Sequence, residues 1–125
     1  MTYLDTHVVA ALDKKELDLF SRRALEAIEQ EDDLRISPMV LLELEYLHEI
    51  KRIRGPALDI ITGLTSGIGL RICDRSFADV ARQAMEERWT RDPFDRVIVA
   101  QARLGRAVLI TRDRQMQARY PRAQG

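Results

Sequence analysis

The chain has 125 residues, with 20 Lys and Arg against 20 Asp and Glu, so its formal net charge is zero. That length suits one globular domain able to bury about two-thirds of its unfolded surface, and the single cysteine, Cys73, excludes an intramolecular disulfide framework. Zero net charge argues against a nucleic-acid binder that works through bulk charge, and no leader pattern or apolar run of about eighteen residues marks a membrane span, so a soluble protein of the reducing cytoplasm is expected.

The charge is unevenly placed. Residues 1–70 hold 8 basic and 13 acidic side chains, a net −5, whereas residues 71–125 hold 12 and 7, a net +5. Of the 20 basic residues 17 are arginine, whose planar fork suits phosphate but which also simply solubilises helices. Both readings stay open on composition alone.

In chain order, "TYLDT" reads as a short strand that breaks at Asp5. Leu17 to Gln30 has apolar residues at positions 17, 20, 24, 25 and 28, the spacing of an amphipathic helix. "LRIS" is a second strand. Ser37 and Pro38 then supply cap and first-turn signals for a helix through "MVLLELEYLHEIKRI", closed by Gly55 and Pro56. "ALDIITGLTSG" predicts a short helix stopped by glycines, "LRIC" a third strand, and Ser76 to about Trp89 a further helix. Asp92 as cap and Pro93 at the first position open another helix, which Gly105 is expected to end in the left-handed conformation. "AVLIT" is the fourth strand, followed by a short helix after Asp113. Strands separated by helices predict an α/β fold with a parallel sheet.

Five acids fall at telling places. Asp5 and Asp113 lie just past the carboxyl ends of the first and last of these strands, the edge where open parallel sheets bind ligands. Asp92 and Asp95 sit at a helix N-terminus. Glu43 has Met39, Val40, Tyr46 and Leu47 as its neighbours on the helix, so it projects from an apolar stripe, while Glu45 faces a more mixed side and is the reserve candidate. Each acid alone has an ordinary explanation as a turn, a cap or an ion-pair partner. Together, Asp5, Glu43, Asp95 and Asp113 come from four separated segments that a parallel sheet can bring to one pocket. Oxygen-only ligands there would select magnesium or manganese, which activate water and steady a leaving oxygen.

Four segments carry a family resemblance: "YLDTHVVAALD" with Asp5 and Thr6, "SPMVLLELEYL" with Glu43, "DPFDRVIVAQARLG" with Asp95 before an arginine, and "LITRDRQMQARYP" with Thr111 and Asp113. In this order they resemble the PIN-domain ribonucleases, most closely the VapC-type toxins of bacterial toxin-antitoxin pairs. The resemblance implies a single PIN-like domain over residues 1–125, a three-layer α/β/α sandwich around a parallel sheet. It implies a Mg2+- or Mn2+-dependent endoribonuclease whose metal is held by Asp5, Glu43, Asp95 and Asp113, with Thr6, Thr111 and Asp92 as accessories. It also implies an RNA substrate, a cognate antitoxin whose arm enters the acidic pocket, and a homodimer. The family often adds a short strand after the "YP" pair, here Tyr120 and Pro121, which leaves that edge of the sheet open.

Rival readings are weaker. A receiver-like phosphorylation domain would need adjacent acids after the first strand and a lysine ending the last, yet Thr6 follows Asp5 and no lysine lies beyond residue 51. A non-catalytic PIN-like module that binds RNA or protein is the alternative. With His7 and His48 as the only histidines, a histidine-based zinc site is disfavoured. Trp89 is read as a buried or interface residue ahead of a base-stacking one, and Ser37 as an N-cap.

Overall fold

The computed structural model describes residues 1–125. The three-residue strands β1 (Thr2–Leu4), β2 (Leu34–Ile36) and β4 (Val108–Ile110) lie at the centre, flanked by the two-residue strands β3 (Arg71–Ile72) and β5 (Ala123–Gln124). Their order is β3-β2-β1-β4-β5 and every neighbouring pair is parallel, with Tyr3 opposite both Arg35 and Leu109, Ile36 opposite Ile72, and Leu109 opposite Ala123. Successive residues Tyr3 and Leu4, like Leu109 and Ile110, are all buried, as a sheet covered on both faces requires.

Helices α1 (Thr6–Asp13), α2 (Arg22–Gln30), α3 (Pro38–Glu49), α4 (Ala57–Ile68), α5 (Phe77–Ala84), α6 (Pro93–Leu104) and α7 (Arg114–Arg119) supply those layers, on both sides of the sheet. In α6 six consecutive residues, Val97 to Ala102, are buried, so this helix is wrapped on all sides. Val80 and Ala84 of α5 pack against Val97 and Ala100 of α6 in a small second cluster. The chain leaves β1 toward β2, and β4 lies on the opposite side of β1, so the strand order reverses between β1 and β4. The carboxyl ends of those two strands therefore flank the crevice in which open α/β sheets place their ligands.

Several local expectations are corrected. The helix expected over Leu17 to Gln30 is broken: a 3-10 turn spans Leu17–Leu19, Phe20 is extended and buried, and Ser21 restarts the helix by accepting from the Ala24 amide at 3.0 Å. Burying Phe20 requires the chain to leave helical geometry there. Helix α1 was hidden in what reads as the end of a strand; its signal is Asp5 as cap ahead of Val8, Val9 and Leu12. Gly105 does not take the left-handed conformation: its φ is −82°, and Arg106 holds the positive angle of 50°. Its lack of a side chain answers to packing instead, since a Cβ would stand 2.9 Å from Met1 Cε and 3.4 Å from Tyr3 Cε2. Gly69 is the true left-handed stop, closing α4 at φ 72°. The strand after Tyr120 and Pro121 is present as β5 and completes the sheet.

Helix α5 ends at Ala84 rather than near Trp89 because Glu87 turns inward. Its side chain is 2% exposed and accepts from Arg103 at 3.0 and 3.1 Å, Trp89 at 3.1 Å and Gln83 at 3.2 Å. Burial pushes the Glu87 carboxyl up, but these donors outweigh it and hold its pKa below the ordinary value. Trp89 is thereby a structural residue, its indole committed to Glu87.

Two stability outcomes follow. Arg103→Ala strands the buried carboxylate and should cost about 2–3 kcal/mol in urea unfolding at neutral pH, less than the full penalty for a broken buried pair because Trp89 and Gln83 still donate. Because the Glu87 pKa is lowered by folding, its stabilisation is present above the ordinary carboxylate range and lost as pH falls through the folded value, so wild type and variant should converge in acid. At the start of α6, Asp92 Oδ1 accepts from the amides of Phe94 at 2.8 Å and Asp95 at 3.3 Å. Asp92→Asn and Asp92→Ala both remove the charge, so the alanine variant should unfold about 1 kcal/mol more easily than the asparagine variant, the worth of the cap alone.

Candidate active site

At the carboxyl edge of the sheet the three central strands each run into a helix through a capping side chain. Asp5 follows β1 and accepts from the Thr6 amide at 2.8 Å, opening α1. Ser37 follows β2, is buried, and accepts from the Met39 amide at 3.1 Å, opening α3. Asp113, three residues past β4, accepts from the amides of Gln115 at 2.8 Å and Met116 at 3.1 Å, opening α7. Asp92 does the same for α6. The positive ends of several helix dipoles are thus directed at one edge, where carboxylates are stabilised.

Asp5 is 4% exposed and anchors the centre of this edge. Its second oxygen accepts from the Thr111 hydroxyl at 2.7 Å, a bond that ties the end of β1 to the end of β4. The Thr111 hydroxyl oxygen in turn accepts from the Asp113 amide at 3.0 Å. Thr6, fully buried, donates its hydroxyl to Glu43 of α3. The two glutamates of "ELE" part in position: Glu43 accepts from Thr6, beside Asp5, while Glu45 accepts from the Ala57 amide at 3.1 Å at the start of α4.

The remaining acids complete an electrostatic cluster. Burial pushes the Asp95 carboxyl up to about 7, and the charges of Asp92, Asp5, Asp113 and Glu43 push in the same direction. Asp95 accepts no hydrogen bond from any protein donor, so nothing offsets that pressure. Burial likewise raises Asp5, against the opposing hydrogen bonds of Thr111 and Thr6, and raises Glu43, against the hydrogen bond of Thr6. Asp95 feels the charges of all four other acids, Glu43 those of Asp5 and Asp92, and Asp5 that of Asp113. The structure brings together every acid singled out in the sequence except Glu45.

An oxygen-only donor set with unrelieved negative charge fits a hard divalent cation. Asp5 keeps a free lone pair on each oxygen after its two hydrogen bonds, and Asp95 keeps all of its own. The side chains are drawn near one another without being closed into a coordination shell, since no three acidic, histidine or cysteine side chains meet at ligand spacing. His7 stands exposed at the mouth of the site, and His48 approaches the Ile53 carbonyl at 3.4 Å; neither supplies a nitrogen-rich metal site.

The fold has clear relatives among solved structures. It is similar to a chain of a toxin-antitoxin complex from Klebsiella pneumoniae, with 22% identity, a TM-score of 0.67, and coverage of 100% of this chain and 97% of that one. It is also similar to a chain of VapBC2 from Rickettsia felis bound to a DNA fragment from its promoter, at 19% identity, TM-score 0.66 and coverage of 99% and 98%. FitAB bound to an IR36 DNA fragment contains a third such chain, at 19% identity, TM-score 0.54 and coverage of 98% and 92%. At these identities the likeness is one of fold. No curated protein sequence matches the chain. The sequence profile of the PIN domain matches residues 2–122, from the strand leading into Asp5 to the turn beyond the helix capped by Asp113, and the chain therefore belongs to the PIN domain family.

Proposed function

We propose that this PIN-domain protein is a Mg2+- or Mn2+-dependent endoribonuclease, the toxin of a toxin-antitoxin pair. The observation that carries this reading is the convergence of Asp5, Glu43, Asp95 and Asp113 on the β1/β4 crevice, with Asp95 pushed up to about 7 by burial and by its neighbours. Such a pocket is poorly suited to stay anionic by itself and well suited to a cation.

In this reading Asp5, Glu43, Asp95 and Asp113 hold the ion. A bound magnesium or manganese would supply Lewis acidity beside a water and a phosphodiester oxygen. The chain does the rest. Thr111 and the Thr6 amide fix the Asp5 carboxylate, the Thr6 hydroxyl fixes Glu43, and Asp92 holds the first turn of α6 so that Asp95 faces the crevice. With its pKa raised to about 7 in the cation-free site, Asp95 is the group suited to give up a proton near neutrality when the site takes up a cation.

The fold-level likeness to toxin-antitoxin complexes supports a cognate antitoxin as protein partner, and exposed Leu42 and Tyr46 of α3, Ile50 just past its end and Leu58 of α4 supply apolar surface of the kind protein partners or a second copy cover. No helix is long and apolar enough to cross a membrane. An RNA substrate places the proposed activity in the cytoplasm, which suits the single buried thiol of Cys73.

Purified protein should cleave RNA with manganese or magnesium and lose that activity on chelation. Asp5→Asn and Asp95→Asn should each lower cleavage by about two orders of magnitude or more, as a lost metal ligand does. RNA binding without metal-dependent cleavage would instead establish the non-catalytic module. In cation-free buffer Asp95→Asn should melt at a higher temperature than wild type at pH near 8. The sign follows from the raised pKa: the unfavourable contribution of Asp95 is absent below its ordinary value of 3.8, grows as pH rises toward about 7, and is complete above it. The two melting temperatures should therefore converge in acid, and manganese should narrow the gap at high pH by stabilising wild type.

A further inference from the structure

A second feature borders the carboxylates and has the opposite sign. On one side of α1, His7 and Lys14 stand about two turns apart with Ala10 and Ala11 between them, lining a cleft of about 230 Å³ to which Arg52 and Arg112 also contribute. A second cleft of about 670 Å³ continues from it past Lys51 and Arg54. The two share Lys14, Glu16, Arg52 and Ile53, so they form one groove. Its inner end is lined by His7, whose ring is near enough to act on Asp5 and Glu43, and by Arg112, the neighbour of Asp113 in the chain, so the groove borders the acidic pocket.

Five full cations line this groove, and none of Lys14, Lys51, Arg52, Arg54 or Arg112 forms an ion pair, although seven such pairs occur elsewhere in the chain. Glu16 is the one acid on its walls. Helix ends explain part of this arrangement, because Lys14 caps α1 and Lys51 follows the end of α3, where positive charge complements the macrodipole. They do not explain Arg54, which precedes the N-terminus of α4, or Arg112, which lies between β4 and the N-terminus of α7. At those places the dipole disfavours a cation. The chain thus gathers unpaired positive charge beside a pocket that, on its own, repels phosphate.

We infer that this groove binds the backbone phosphates of the RNA strand on one side of the bond to be cut, with Lys14, Arg52 and Arg112 next to the pocket and Lys51 and Arg54 further along. The ligand class rests on the endoribonuclease reading above. The distance from His7 to Lys14 along α1, about 10 Å at the rise of an α-helix, gives the strand a short positively charged track away from the carboxylates. Phosphate contacts of this kind position a strand without reading its sequence.

The test compares two double variants that lose the same charge: Lys14→Gln with Arg52→Gln in the groove, and Arg22→Gln with Arg23→Gln on exposed α2. Binding of a fluorescein-labelled single-stranded oligoribonucleotide is measured by anisotropy in chelator, across a salt series. Hydrolysis of that RNA and of bis(p-nitrophenyl) phosphate is measured with manganese. The groove variant should bind RNA about tenfold more weakly, with a salt slope reduced by about 1.4 for two lost phosphate contacts, while the α2 variant stays within about twofold of wild type. Its kcat/KM should fall about tenfold on RNA and stay unchanged on the small diester, which does not reach the groove. Undiminished RNA binding by the groove variant, or equal weakening in both variants, overturns the inference and leaves the nuclease reading intact. Loss of RNA binding in the groove variant alone, with neither substrate hydrolysed by wild type, supports the groove and overturns the nuclease reading.

Discussion

The hydrogen bond from Thr111 to Asp5, 2.7 Å long and joining residues 106 positions apart, is the contact on which the rest of the edge depends. It closes the crevice between β1 and β4, the one place in the sheet where the strand order reverses. It leaves one oxygen of Asp5 for the Thr6 amide, which starts α1, and Thr6 in turn spans to Glu43 on α3. Both threonines are wholly buried. A carboxylate this deeply placed is tolerated because each of its oxygens has a donor and because helix N-termini face it.

The same arrangement stores electrostatic tension. Capping satisfies the geometry of Asp5, Asp92 and Asp113, whereas Asp95 caps nothing and accepts no protein hydrogen bond, and burial together with the repulsion of its neighbours raises its pKa to about 7. A hard cation is the natural complement to that tension, and the unpaired cations of the neighbouring groove are the natural complement for the strand it would act on. Negative and positive surfaces lie side by side because α1 carries both, Asp5 at its cap and Lys14 at its other end. The net charge of zero conceals this division.

Elsewhere stability rests on ordinary means. The sheet is buried on both faces, α6 is enclosed on every side, and the buried Glu87 is held by three donors rather than left to solvent. These features keep α6 fixed, and α6 carries Asp92 and Asp95.

Much was legible in the sequence because its signals are local. Cap-and-proline pairs marked the starts of α3 and α6, Asp113 the start of α7, a β-branched run marked β4, and alternation of strands with helices pointed to a parallel sheet. The helical facing of Glu43 distinguished it from Glu45 before any contact was visible. What tertiary structure alone decided depends on partners distant in the chain. Phe20 breaks a helix because the core has room for it, Gly105 is small because Met1 and Tyr3 lie against it, and Glu87 turns inward because Arg103 waits there. β5 exists because β4 offers it an edge. The positions of the acids could be read from local pattern, whereas the elevation of Asp95 and the meeting of an acidic pocket with a basic groove could not, since charge interactions act through space and sequence spacing does not measure that distance.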